Sequence, residues 1–124
     1  MKACIFCNLP KERIIKSYEL FNIIRDLYPV TYLHSLVIPK RHVESYFDLY
    51  DEELQELSIV LKELKVDLEK TDDKISGFNI GINIGKDAGQ TIFHCHIHVI
   101  PRRENDTDNP TGGVRGVIPE KKIY

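Results

Sequence analysis

His94, His96 and His98 alternate with Phe93, Cys95, Ile97 and Val99 within the segment Thr91 to Ile100. Successive strand residues point to opposite faces of a sheet, so this spacing predicts a strand with one core face. The other face carries three imidazoles, each about 6.5 to 7 Å from the next. A lone histidine is ordinarily a satisfied structural residue, whereas a row of three on a polar face marks chemistry, because clustered titratable groups concentrate at functional sites. Two chemistries suit the row. One is a catalytic metal held by a His-x-His pair and a third ligand. The other is nucleophilic catalysis at phosphorus, in which a neutral imidazole attacks without first losing a proton and departs again as a neutral base. Arg102 and Arg103 follow the strand, and two guanidinium groups favour an anionic substrate over a metal. His96, flanked by a histidine on each side, is the natural nucleophile. Phosphoryl chemistry also needs donors for the nonbridging oxygens. Asn83, Gln90, Thr91 and the glycine-flanked amides near them can supply these.

The elements that must position this row are legible from periodicity. Gly77 to Gly85 splits into Phe78, Ile80, Ile82 and Ile84 on one face, and Asn79, Gly81, Asn83 and Gly85 on the other. The first face is expected in the core, and the second suits close approach of a ligand to the backbone. Lys86 to Gln90 is short enough for a hairpin, which would set the Asn/Gly face beside the histidine face. Upstream, Tyr18–Arg25 and His34–Ile38 read as buried strands separated by a turn at Asp26-Leu27-Tyr28-Pro29, the second stopped by Pro39. Asp51 is the expected N-cap of a helix running to about Lys70. Leu54, Leu57, Leu61, Leu64 and Leu68 form its core stripe, and Ile59, Val60 and Val66 lie off it. Residues 104–124, rich in Asp, Asn, Gly and Pro, are expected to form an irregular tail to a single domain spanning 1–124.

Composition narrows the function classes. Seventeen Lys+Arg against nineteen Asp+Glu give a formal net charge of −2, which excludes the basic excess of a nonspecific nucleic-acid binder. Any phosphate binding must therefore be local. Met1-Lys2-Ala3-Cys4 opens without an apolar signal core and no run is long enough to span a bilayer, so a soluble, cytoplasmic protein with no membrane partner is expected. The three cysteines cannot form a full disulfide framework. Cys95 falls on the core face as a structural thiol, while Cys4-x-x-Cys7 is consistent with either a metal or a redox pair.

The segment His94-Cys95-His96-Ile97-His98-Val99-Ile100 resembles the motif His-φ-His-φ-His-φ-φ, with φ apolar, of the histidine-triad superfamily of nucleotide hydrolases and transferases. The resemblance extends through Cys4-Ile5-Phe6-Cys7, Arg25-Asp26, His34 to His42, Gly77-Phe78-Asn79 and Gly89-Gln90-Thr91. The closing Gly112 to Pro119 is similar to a bacterial subgroup described as diadenosine-tetraphosphate hydrolase-like. The resemblance implies an α+β fold with an antiparallel sheet, a homodimer, and a transient nucleotidyl intermediate on His96. It implies that His98 assists the leaving group, that His34 belongs to the catalytic set, that Asp26 binds ribose, and that Asn83, Gln90 and Thr91 contact phosphate. Histidine rather than glutamine at position 98 favours hydrolysis over transfer to a sugar phosphate. The zinc-bearing members imply a closed, structural zinc site at Cys4, Cys7, His42 and His94. Tyr32-Leu33 stand where many relatives carry a small residue before the histidine.

The activity expected is therefore hydrolysis at the α-phosphate of dinucleoside polyphosphates or nucleotide phosphoramidates. Phosphorolysis or nucleotidyl transfer, or a nucleotide sensor with negligible turnover, are the competing functions. The glycine-rich segment 112–116 orders itself at high entropic cost, so it should be held by the rest of the assembly, with Arg115 near the polyphosphate end of an active site.

Overall fold

The computed structural model describes residues 4–124; Met1, Lys2 and Ala3, read above as part of a start without a signal core, lie outside them. Five strands form one antiparallel sheet: β1 (Ile14–Ser17), β2 (Phe21–Arg25), β3 (Ser35–Pro39), β4 (Ile75–Gly81) and β5 (Ile97–Arg103), in the order β1-β2-β3-β5-β4. Among the described residues one α-helix, α1 (Asp51–Thr71), lies across β2 and β3. This is the α+β architecture expected. No helix among the described residues is long and apolar enough to cross a membrane.

The helix starts where the Glu53 carboxylate accepts the Tyr50 backbone N–H at 2.8 Å, so Tyr50 rather than Asp51 is the N-cap and Asp51 joins Glu52 and Glu53 in the first turn. These carboxylates suit the positive end of the helix dipole. Leu57, Leu64 and Leu68 are buried as the stripe predicts. Val60, assigned off the stripe, is also fully buried, because the face turned to the sheet is wider than a one-residue-wide seam. They pack on Phe21, Ile23, Val37, Ile97 and Val99 from the helix side of the sheet. The opposite face holds a smaller cluster of Ile24, Leu36 and Ile38 beneath Phe6. Both faces of β3 are thus covered and all five of its residues are buried.

Several boundaries differ from expectation. The segment Tyr18 to Leu20 is a turn, closed by Tyr18 N–H to the Phe21 carbonyl at 2.7 Å, and the edge strand β1 was not anticipated. β4 ends at Gly81 and β5 begins at Ile97, so the connection is residues 82–96, with a 3-10 turn at Lys86–Ala88, rather than a tight hairpin. Ile80, expected in the core, is half exposed on the edge strand β4, whereas Ile75 at the start of the same strand is buried in the core with the helix leucines. Phe93 is likewise exposed, since the chain bends before His94 and the alternation starts only after that bend. The tail is not wholly irregular: 3-10 turns form at Gly113–Val117 and Pro119–Lys121.

Candidate active site and metal centre

His98 lies within β5, opposite Leu36 of β3 and Gly81 of β4. The Asn/Gly face and the histidine face therefore adjoin as expected, and Gly81 places no side chain beside the imidazole. His94 and His96 precede the strand ladder, and their segment is fixed by Cys95 N–H donating to the Val43 carbonyl at 2.6 Å. Burial pushes the Cys95 thiol up to about 11, in keeping with an inert core residue.

Hydrogen bonds determine which ring nitrogen carries each proton. His96 Nδ1 lies 2.8 Å from the His94 carbonyl, which can only accept, so Nδ1–H is the donor and Nε2 of the neutral ring holds a free lone pair. Val30 N–H donates to His34 Nδ1 at 3.0 Å, which leaves the hydrogen of neutral His34 on Nε2. That Nε2–H meets His98 Nδ1 at 2.9 Å, so His98 in turn carries its hydrogen on Nε2. Burial first, then the neighbouring His96 and His34, lower His98 to about 4. Burial likewise lowers His34. Asp26 closes the chain: Oδ1 accepts from Tyr28 N–H at 2.8 Å, and Oδ2 lies 3.5 Å from His34 Nε2. Asp26, His34 and His98 converge, yet the facing nitrogens are already committed to each other as donor and acceptor. This cluster is a proton-ordering chain, and a catalytic metal on the triad is not supported.

These groups open into a cavity of about 400 Å³. His34, His96, His98, Asp26, Asn83 and Thr91 line it, with an apolar wall from Ile5, Phe6, Leu36 and Ile92 and a rim of Leu27, Tyr28 and Val30. The apolar wall was missed in the sequence. Its only signal was the pair of large residues between two cysteines. Arg13 was missed as well; it lines the cavity with one guanidinium nitrogen donating to the Arg25 carbonyl.

Four residues expected to serve phosphate or an anionic substrate do not line this cavity. Gln90 is 5 % exposed, and its amide is fully engaged: Oε1 accepts from Gly85 N–H at 2.9 Å, and Nε2 donates to the carbonyls of Glu44 and Ile92 at 3.0 and 3.2 Å. It pins the 85–92 loop and has no hydrogen left for phosphate. Arg102 and Arg103, which motivated an anionic substrate, line a separate cleft of about 570 Å³. There Arg102 forms a two-pronged pair with Asp106 and Arg103 pairs with Asp72. Arg102 and a backbone N–H hold the Asp106 carboxyl well below the usual range. Arg115 donates to the Lys121 carbonyl and stacks over Tyr124; it does not line the histidine cavity of its own chain, because the tail turns back on itself.

Cys4, Cys7, His42 and His94 come together as a second cluster. Sγ of Cys4 and Cys7 lie 3.4 and 3.5 Å from His94 Nδ1, His42 Nδ1 lies 3.2 Å from Cys7 Sγ, and the two Nδ1 atoms are 3.2 Å apart. A tetrahedral zinc ion with ordinary Zn–N and Zn–S bonds separates its ligand atoms by about 3.3 to 3.8 Å, so the donor set fits. The fully buried His94 ring donates Nε2–H to the Pro39 carbonyl at 2.7 Å. That bond turns its Nδ1 lone pair toward the thiols and supplies the second hydrogen bond that metal-binding imidazoles ordinarily make. A redox pair fits less well. Desolvation, and then the adjacent Cys4, raise the Cys7 thiol, whereas a reactive cysteine needs a lowered one.

Residues 9–105 match the model of the HIT domain, and the chain belongs to this histidine-triad family. A zinc-bound histidine-triad family protein from Mycobacterium smegmatis superposes with a TM-score of 0.76 at 36 % identity, over 86 % of this chain and 80 % of that one. The adenosine 5′-monophosphoramidase of Candida albicans is 30 % identical over 85 % of this chain and 74 % of its own length. An asymmetrical bis(5′-nucleosyl)-tetraphosphatase of Schizosaccharomyces pombe is 42 % identical over 65 % of this chain and 44 % of that protein.

Proposed function

We propose that this protein is a zinc-stabilised nucleotide hydrolase that cleaves at the α-phosphate of dinucleoside polyphosphates or nucleotide phosphoramidates through a nucleotidyl intermediate on His96. The observation that carries this reading is the His96 Nδ1–H bond to the His94 carbonyl, which aims an unprotonated Nε2 into a nucleotide-sized cavity. Nε2 attacks phosphorus, a P–N bond forms, and the bond to the leaving group breaks. His98, neutral and bearing its hydrogen on Nε2, donates a hydrogen bond to the departing atom; a polyphosphate leaves as an anion and needs no proton, whereas a phosphoramidate nitrogen takes one proton from solvent and leaves as the neutral amine. Water then attacks the same phosphorus, the P–N bond breaks and its electron pair returns to Nε2, and one water proton passes to solvent. Asn83, Thr91 and Arg13 serve the nonbridging oxygens, and Asp26 accepts from the ribose hydroxyls. Cys4, Cys7, His42 and His94 would hold a zinc ion, whose role would be structural because four protein ligands leave no open position.

The protein acts as a homodimer in this reading. Val114, Val117, Ile118 and Ile123 are exposed on the tail and Ile80 is exposed on the edge strand β4, and this apolar surface suits a second copy. Only a partner's site would place Arg115 near a polyphosphate.

A product assay tests the function. Diadenosine tetraphosphate and adenosine phosphoramidate are each incubated with the protein, with and without added phosphate. Release of AMP is expected. A nucleoside diphosphate appearing only with phosphate would identify phosphorolysis, and binding without turnover of either substrate would make the protein a sensor.

A further inference from the structure

The four residues Cys4-Ile5-Phe6-Cys7 face two sites at once. Their thiols point at His42 and His94, while Ile5 and Phe6 form part of the wall of the histidine cavity. Residues 4–10 belong to no strand or helix. The turn is closed locally by Cys7 N–H and Asn8 Nδ2–H, both donating to the Cys4 carbonyl. Beyond that, it is fixed to the body of the protein by the Phe6 ring seated on Ile24, Leu36 and Ile38, with Cys4 and Leu9 packed beside it, and by the ligand set reached by its two thiols. The Phe6 ring also stands edge-on to both histidines, 5.0 Å from His96 and 6.0 Å from His94 between centroids.

His94 joins the same two sites through its other atoms. Its Nδ1 lies among the thiols, and its carbonyl receives the His96 Nδ1–H. We propose that nucleotide and metal occupancy are positively coupled in this protein through the Cys4–Cys7 turn, with Phe6 as the residue that carries the coupling. The inference rests on the nucleotide reading of the cavity. A bound metal holds the turn against His42 and His94, which sets the Ile5–Phe6 wall before nucleotide arrives. A nucleotide packed against that wall in turn resists the opening of the turn through which the metal would leave. Coupling of this kind is reciprocal: each ligand must tighten the other by the same factor. The alternative is a turn held by Phe6 packing alone, which would give no coupling. One buried ring is a small anchor beside a closed four-ligand metal site.

The test is competition for zinc by a chromogenic chelator, on the zinc-loaded full chain, without AMP and with saturating AMP. Zinc binding by free AMP is subtracted from a protein-free titration. AMP should lower the apparent zinc Kd about five-fold or more, the lower end of ordinary allosteric coupling. Phe6→Leu, which keeps an apolar side chain, and Ile5→Ala, at an exposed position, should each bring the factor toward one. Their zinc affinity without AMP should fall far less than that of Cys4→Ser, since no ligand is removed, and the factor is read with AMP binding to each variant verified by calorimetry. A factor of one in the unmodified protein, with AMP seen to bind by calorimetry, overturns the inference and leaves the nucleotide reading standing. A factor unchanged in both variants overturns the assignment to the turn. Failure of AMP to bind the zinc-loaded protein overturns both readings.

Discussion

Replacing Gln90 separates two roles that the sequence alone cannot distinguish. If its amide contacted phosphate, Gln90→Ala would slow turnover and leave the fold intact. The structure instead gives the amide three hydrogen bonds, to Gly85 N–H and to the carbonyls of Glu44 and Ile92, all at a site 5 % exposed. Each is worth about 1 kcal/mol net, so their loss should cost about 3 kcal/mol, or roughly 10 °C in Tm for a domain of this size. Gln90→Glu should be at least as damaging, because it replaces two donor hydrogens with an acceptor facing two carbonyls. Thermal unfolding of the zinc-loaded protein measures the effect. Kinetics well below Tm should show a raised KM, since the 85–92 loop carries Thr91 and Gly89 of the cavity wall. A Gln90→Ala protein melting within about 2 °C of the parent while losing ten-fold or more in kcat would refute the reasoning and return the amide to the substrate.

Cys4→Ser should lower zinc content and reduce Tm more than it changes kcat of the residual loaded protein, because the site is closed and structural; elemental analysis beside a melt decides this. Asp26→Ala should raise KM for ribonucleotides far more than for 2′,3′-dideoxy substrates, since an ionised carboxylate only accepts and a vicinal diol offers two donors. His98 titrates near 4 in the fold against an ordinary 6.5, so between these values the unfolded chain binds the extra proton. Its contribution to stability is complete above about pH 6.5 and is lost as pH falls through about 4. His98→Gln should flatten that limb of the stability profile relative to the parent, and an unchanged limb would assign the acid loss to other groups.

How legible each part was depended on the range of its interactions. The triad, the helix and the adjacency of the Asn/Gly face to the histidine face followed from local periodicity, because strand alternation and the leucine stripe are imposed by backbone geometry, whereas the register that sets Gly81 opposite His98 did not. The tetrahedral cluster carried over with the family resemblance, and the structure supplies what spacing could not: the Pro39 carbonyl that turns His94 Nδ1 toward the thiols. Charge was read least well. Arg102 and Arg103 adjoin the triad in sequence, but strand alternation continued by two residues carries them past the cavity, where Asp106 and Asp72 neutralise them. Arg13, remote in sequence, reaches the cavity because β1 pairs with β2 antiparallel and brings residue 13 back beside Arg25. Gln90 was expected at phosphate and instead bonds its own loop, because a polar residue in a glycine-rich loop looks the same in sequence whether it binds a ligand or the loop itself.

The central claim is covalent chemistry at His96, and it is tested most directly by trapping the intermediate. Protein mixed with excess diadenosine tetraphosphate, quenched in alkali within the first turnovers and analysed by intact mass and peptide mapping should carry adenylate on the His96 imidazole. The adduct should be absent from His96→Ala, whose turnover should fall by about three orders of magnitude or more while its fold and zinc content persist. Near-native turnover in His96→Ala, or an adduct mapped to any other residue, would contradict it.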